Sequence, residues 1–332
     1  MSKKVFLKGT LILACTGLVS RIAGFFYRIF LSHAIGAEGL GLYQLILPLQ
    51  GLMAALSYTG IQSALSRLIA SRLALQEKKE AYFSLVTGIF AAVFFSAVTG
   101  FLLFRHADFF ASTILKAPGT SDLLRLTAAS IPLCAIHSCI DSYYYARKKA
   151  SVPAAVQLSE QAVRIGATYI LYLIFLSEGR PVTAMIAAGG SLAGEAAASL
   201  ISLLMVSFHF GNHPVKEKTS VKIFPLIKDL FTLSFPISLN RILLTLLGSI
   251  EAVLIPQMLI RCGMTSSEAL KIYGIFTGMA LPLLLFPSTL TTSAAVMLMP
   301  SVARMDALGD QKQIRHVTDQ TFFLCMFLGF LC

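Results

Sequence analysis

Apolar runs of 20 or more residues recur along the whole chain, broken by short polar segments, and no other feature restricts its fold as much. Each run is long enough to cross a hydrocarbon core of about 30 Å as a helix. In a bilayer the backbone must satisfy its own hydrogen bonds, so a chain of this pattern folds as a helical bundle. Only 13% of the 332 residues are charged and the mean hydropathy is +0.76. A soluble domain carries roughly 25% charged residues, so a soluble fold is excluded.

Periodicity predicts helices over about 6 to 33, 41 to 72, 82 to 105, 123 to 146, 153 to 177, 183 to 209, 229 to 258 and 272 to 303, with a ninth from 316 onward. The ninth is still apolar at Phe330-Leu331-Cys332, so we expect a longer protein in which further helices follow. Ala14-Cys15 is not read as a lipoprotein cleavage site. Lys8 leaves only six residues before Cys15, and the apolar pattern runs past it to Leu31.

The formal charge of +11 would suit nucleic acid, but the basic residues sit in short loops and form no patch, so no nucleic-acid partner is expected. They report topology instead. Seventeen of the 27 Lys and Arg fall on the side of the N-terminus and five on the other. Cytoplasmic loops hold the excess, so the N-terminus is expected in the cytoplasm of a multi-pass protein of the bacterial inner membrane.

The longest inner connection follows the sixth helix. It suggests an N-terminal six-helix lobe at 1–209, a basic cytoplasmic linker at 210–228, and the first helices of a second lobe at 229–332. A short echo agrees, since Ser20-Arg21-Ile22 is matched by Asn240-Arg241-Ile242. The expected fold is all-α and polytopic, with a second lobe pseudo-symmetric to the first about an axis along the membrane normal.

Thr10, Ala14, Gly17, Arg21, Gly24, Arg28 and Ser32 follow steps of three and four, giving the first helix one small, cationic stripe. Leu13, Ile22, Phe26, Ile29 and Phe30 are assigned to the opposite, lipid-facing or packed side. An arginine at mid-bilayer costs about 2.5 to 3.5 kcal/mol, so Arg21, Arg28 and Arg241 are expected to line a watery cavity. The competing reading has Arg28 snorkel to the outer surface and Arg21 pair structurally. Guanidinium forks suit pyrophosphate oxygens, so the cargo is expected to be anionic.

Glu160 precedes Arg164 by four residues on the fifth helix, a favourable ion-pair order, and Glu195 sits among Gly190, Ser191, Gly194 and Ser199 on the sixth. A structural network joining the two helices is the favoured reading. A proton or cation site at Glu195, or at Glu251 on the seventh helix, is the sharper one. Pro48, Pro132, Pro236, Pro256, Pro282 and Pro287 are candidate bending points. The six cysteines show no ligand-like spacing and are assigned to packing, so no metal or cofactor is expected beyond a coupling sodium ion or proton. His209 and His213 are read as loop residues, and Asp141 with Tyr143, Tyr144 and Tyr145 as an interfacial belt.

Several segments, in order, resemble one family: Phe6-Leu7-Lys8-Gly9-Thr10, Ser20-Arg21-Ile22-Ala23-Gly24-Phe25-Phe26-Tyr27-Arg28, Ile35-Gly36-Ala37-Glu38-Gly39, Glu160-Gln161-Ala162-Val163-Arg164 and Ala193-Gly194-Glu195. The family is that of the stage V sporulation protein B-like proteins. It belongs to the multidrug/oligosaccharidyl-lipid/polysaccharide exporter superfamily and is similar to the peptidoglycan lipid II flippases. The resemblance implies two six-helix lobes around a central cavity and alternating access. It also implies that Arg21 and Arg28 engage a lipid pyrophosphate, although their spacing of seven is one residue wider than in some relatives.

The expected function is translocation of a lipid-linked sugar pyrophosphate for the cell wall, plausibly the spore cortex, with membrane lipids and wall-synthesis enzymes as candidate partners. A drug/cation antiporter of the same fold and a non-transporting scaffold for wall synthesis remain as alternatives. A membrane enzyme is disfavoured, because Glu77, Glu80, Glu217, Asp306 and Asp310 are scattered and supply no catalytic cluster.

Overall fold

The computed structural model describes residues 3–212, 223–285 and 288–331, and among these every regular element is helical. All nine expected helices have counterparts. Helix α1 (Lys3–Ser57) carries the first and most of the second, and α2 (Thr59–Ala74) completes the second. Then follow α3 (Lys78–Arg105), α4 (Ser121–Ala146), α5 (Ser151–Ser177), α6 (Met185–Asn212) and α7 (Ile223–Arg261). The eighth comprises α8 (Ser266–Ile275) and α9 (Ser288–Ala307), and α10 (Gln311–Leu331) is the ninth. Among the described residues five stretches, in α1, α3, α6 and α7 and at Pro118–Ala146, are long and apolar enough to cross a membrane by length and composition.

Three boundaries depart from the periodicity. No loop separates the first two helices; the chain redirects at Gly36 alone (φ 72°, ψ 169°), a backbone conformation that lacks a steric penalty only for glycine. Helix α7 begins at Ile223 rather than 229, because Leu226 and Leu230 are buried and tie its first turns to the bundle. The linker expected at 210–228 is therefore shorter at both ends, and its residues 213–222, His213 among them, lie outside the described residues. The eighth helix is broken: α8 starts at a Thr265–Glu268 capping box and passes into a π-turn at Phe276–Ala280, just before Pro282. By contrast Pro48, Pro132, Pro236 and Pro256 are accommodated within continuous helices.

Between helices in lipid there is little hydrophobic gain, and close backbone approach takes its place. A Cβ at Gly274 would lie 2.7 Å from both the Ala37 carbonyl and the Gly41 amide, so α8 meets α1 backbone to backbone. Among the described residues two large buried clusters and a small third one around Leu13 and Met297 make up the interior. One large cluster includes Leu31, Leu40, Ile46, Leu124, Ile131 and Ile186, the other Leu65, Ile69, Leu85, Cys139, Tyr143 and Val206. At the end nearer α7's start, Arg72 bridges Glu77 (3.1 Å), Glu80 (2.9 Å) and Asp229 (3.0 Å), tying α2 and α3 to α7.

Candidate functional site

On α6 Glu195 falls between a stretch belonging to one apolar cluster, Ile186 to Ala188, and Val206 of the other, and there the bundle opens into a cavity of about 890 Å³. Its walls come from α1, Tyr145 at the end of α4, α5, α6 and the segments 277–285 and 292–296 of the broken eighth helix. Gly17 and Gly24 of α1 leave the space, and Arg21 and Arg28 between and beyond them are in the wall. Arg21 donates to the Leu285 carbonyl oxygen at the break after α8. Arg28 is half-buried in the cavity wall, and among the described residues no carboxylate pairs with it. Phe26 is exposed outside the cavity as expected, whereas Ile22, also exposed, is among the cavity-lining residues. Leu13 is not: it is buried against Ala150, Ala154 and Met297.

The residues singled out on α5 and α6 come together. Arg164 pairs with Glu160 one turn before it and, at 3.5 Å, with Oε1 of Glu195. The close approach is permitted by glycine: a Cβ at Gly194 would stand 3.0 Å from the Glu160 carbonyl, and one at Gly190 would overlap the Thr168 hydroxyl. Thr168 also lies 3.0 Å from the Tyr27 hydroxyl, joining this network to α1. Arg164 and Glu195 face the cavity, so its charged wall among the described residues is Arg21, Arg28, Arg164 and Glu195. The lone carboxylate is already engaged, and the wall is cationic.

Arg241 and Glu251 are exposed on α7 and are not among the cavity-lining residues, so the sequence echo between Arg21 and Arg241 is not matched by a shared environment. The belt read at 141–145 is also placed differently. Tyr143 and Tyr144 are buried in the inner cluster, with Arg147 donating to the Tyr143 hydroxyl at 2.9 Å and stacking over its ring. His209 is helical, not in a loop, and bonds to Arg147.

Sequence reading missed His137. On α4 it places Nε2 2.9 Å from Oε2 of Glu195, and Nδ1 3.8 Å from Asp141, which points inward rather than to a membrane surface. Cys134, one turn earlier, brings its sulfur within 4.8 Å of the same ring and carboxylate. The sequence signal was Cys134-x-x-His137-x-x-x-Asp141, which places a thiol, an imidazole and a carboxylate on one face of the helix. Their partner lies on α6, 58 residues from His137.

Comparison with known proteins places these features. Residues 6–306 match the model of a family described as polysaccharide biosynthesis protein. The chain is 31% identical to stage V sporulation protein B of Bacillus subtilis (strain 168) over 338 residues, covering 99% of this chain and 64% of that protein. It is 22% identical to the lipid II flippase MurJ of the same organism, over 99% of this chain and 63% of MurJ. The chain thus spans less than two thirds of the length of either. Its fold is that of the MATE multidrug transporter DinF-BH, with a TM-score of 0.74 at 15% identity over 99% of this chain and 71% of that one.

Proposed function

The chain belongs to the polysaccharide biosynthesis protein family, and from that premise we propose that it moves a polyprenyl-pyrophosphate-linked oligosaccharide from the inner to the outer leaflet of the bacterial cytoplasmic membrane. The observation that carries the reading is the cationic cavity wall, above all Arg28, which faces the cavity with no carboxylate partner among the described residues. A guanidinium in that position matches two phosphate oxygens at once, and burial beside apolar residues strengthens the contact. Arg21 lies two helical turns away along the same stripe. The similarity to stage V sporulation protein B and to MurJ supports this choice over a drug antiporter, which needs an available carboxylate facing its cationic cargo. Here Glu195 is taken by His137 and Arg164.

In this reading no bond in the cargo is broken, so the chain acts as a transporter and not as an enzyme. Glu160, Arg164 and Glu195 tie α5 to α6 at the cavity wall as a structural network, and the cycle is driven by protons or sodium. Arg241 and Glu251 serve the second lobe of the same pathway. The N-terminus is cytoplasmic, and the wall precursor is one used in peptidoglycan synthesis, the spore cortex included.

Complementation tests it. A flippase-depleted strain is supplied with the protein extended to the length of its relatives, with and without Arg21→Ala and Arg28→Ala. Rescue by the parent and loss of rescue by either variant, at equal expression, is the expected result. Rescue indifferent to both arginines would replace transport with a scaffold for wall-synthesis enzymes.

A further inference from the structure

Cys134, His137 and Glu195 form a constellation that neither the transport reading nor packing explains. Cys134 is 6% exposed and Glu195 8%. Their ligand atoms, Sγ, a ring nitrogen and a carboxylate oxygen, all lie within 4.8 Å of one another, with Nε2 2.9 Å from Glu195 Oε2. A packed apolar helix interior gains nothing from a thiol, an imidazole and a carboxylate in one place, since each brings a desolvation cost. Two neighbouring atoms are also left over: His137 Nδ1 and Asp141 Oδ1 are buried with no hydrogen-bond partner among the described residues.

We propose that these three side chains bind a soft divalent cation of the Zn²⁺ class, with Asp141 as the positioning carboxylate behind His137. Thiolate, imidazole and carboxylate is a donor set that Zn²⁺ accepts and that Na⁺, Mg²⁺ and Ca²⁺ do not favour. Zinc bonds of about 2.0 to 2.3 Å are reached from the present spacing by small side-chain shifts. A metal-bound histidine gives its second ring N–H to a carboxylate, and Asp141 stands 3.8 Å from Nδ1 in that place. Glu195 divides its two oxygens: Oε2 faces His137, while Oε1 is the one 3.5 Å from Arg164. The cation therefore takes Oε2 and leaves the Arg164 contact in place.

As the cation arrives the Sγ proton leaves to water, and the ring, ligating through Nε2, carries its N–H on Nδ1 facing Asp141. The site enters and releases its metal through the cavity, whose wall Glu195 forms. Three ligands leave a fourth position to water, the arrangement of an exchangeable site rather than a closed structural one. This inference concerns a metal and is independent of the cargo proposed above.

The test is Co²⁺ titration of the purified, detergent-solubilised chain, read by the thiolate-to-cobalt charge-transfer band and reversed by Zn²⁺. One Co²⁺ per chain with that band is expected. Cys134→Ser should abolish the band, His137→Gln and Glu195→Gln should each weaken binding, and Asp141→Asn should lower affinity about 10- to 100-fold with the band retained. Cys139→Ser, at a thiol directed to the Gly88 carbonyl, should leave it unchanged. No band in the folded parent, or a band that survives Cys134→Ser, overturns the assignment. Should Cys134→Ser not fold, alkylation of Cys134 in the parent decides: Zn²⁺ protection supports the site, and equal labelling with and without Zn²⁺ overturns it. Because the readout is metal binding, its failure leaves the flippase reading untouched, and loss of rescue in the complementation test leaves this one untouched.

Discussion

Arg28 and Glu195 occupy the same cavity wall but are held in opposite ways. Glu195 is held by Arg164 and His137, and Arg28 faces the cavity. Removing Glu195 leaves Arg164 and His137 short of a partner in a buried setting, so Glu195→Ala should destabilise the protein by about 3 kcal/mol in thermal unfolding. Arg28→Ala leaves no buried partner orphaned, so its thermal stability should stay close to the parent's while transport is lost. Arg28→Lys should recover transport only in part, because a point charge cannot reproduce the two-pronged contact. The two arginines of α1 were legible in the sequence because a single helix repeats its own faces every three to four residues. His137 and Asp141 were not, because what gives them meaning is a carboxylate on another helix, and periodicity carries no information about which helices touch.

The contact of α5 with α6 sets the position of both Arg164 and Glu195, and glycine is what permits it. Gly190→Ala should cost about 1 to 3 kcal/mol, since the added methyl group meets the Thr168 hydroxyl and, at 2.8 Å, the Arg164 carbonyl. Gly166→Ala on α5 has open space around it and should be neutral or slightly stabilising by the same thermal measurement. The turn between α4 and α5 makes a pH prediction. Burial, with Arg304 nearby, pushes the Lys148 ammonium down from 10.5 to about 8. Between those values the unfolded chain holds more protons than the folded one, so stability should rise as pH increases from about 8 to 10.5. Lys148→Met should flatten that rise in unfolding measured across the window. Most elements were legible from apolar periodicity, with boundaries off by a few residues. The exceptions are instructive: a single glycine replaced an expected loop at Gly36, and the π-turn before Pro282 split a helix that hydropathy alone reads as continuous.

At the scale of the molecule, the surface of α7 carries large exposed apolar side chains such as Phe235, Leu243 and Leu247, together with Arg241 and Glu251. The cavity lies away from that surface, between α1, α5, α6 and the broken eighth helix, and its positive charge comes from α1 and α5. Its cationic sign, on a fold also used for multidrug transport, is the basis for assigning an anionic lipid-linked cargo. Translocation itself tests that assignment most directly. Proteoliposomes bearing the protein extended to the length of its relatives would be loaded with a fluorescent polyprenyl-pyrophosphate oligosaccharide, and its appearance in the opposite leaflet followed with parent and Arg28→Ala proteins. The account predicts transfer by the parent that falls at least about tenfold in Arg28→Ala and is inhibited by excess polyprenyl pyrophosphate, the loss of one charge-assisted contact being worth about 1.5 to 3 kcal/mol. Equal transfer by both proteins, or transfer of a cationic dye in place of the lipid, would contradict it.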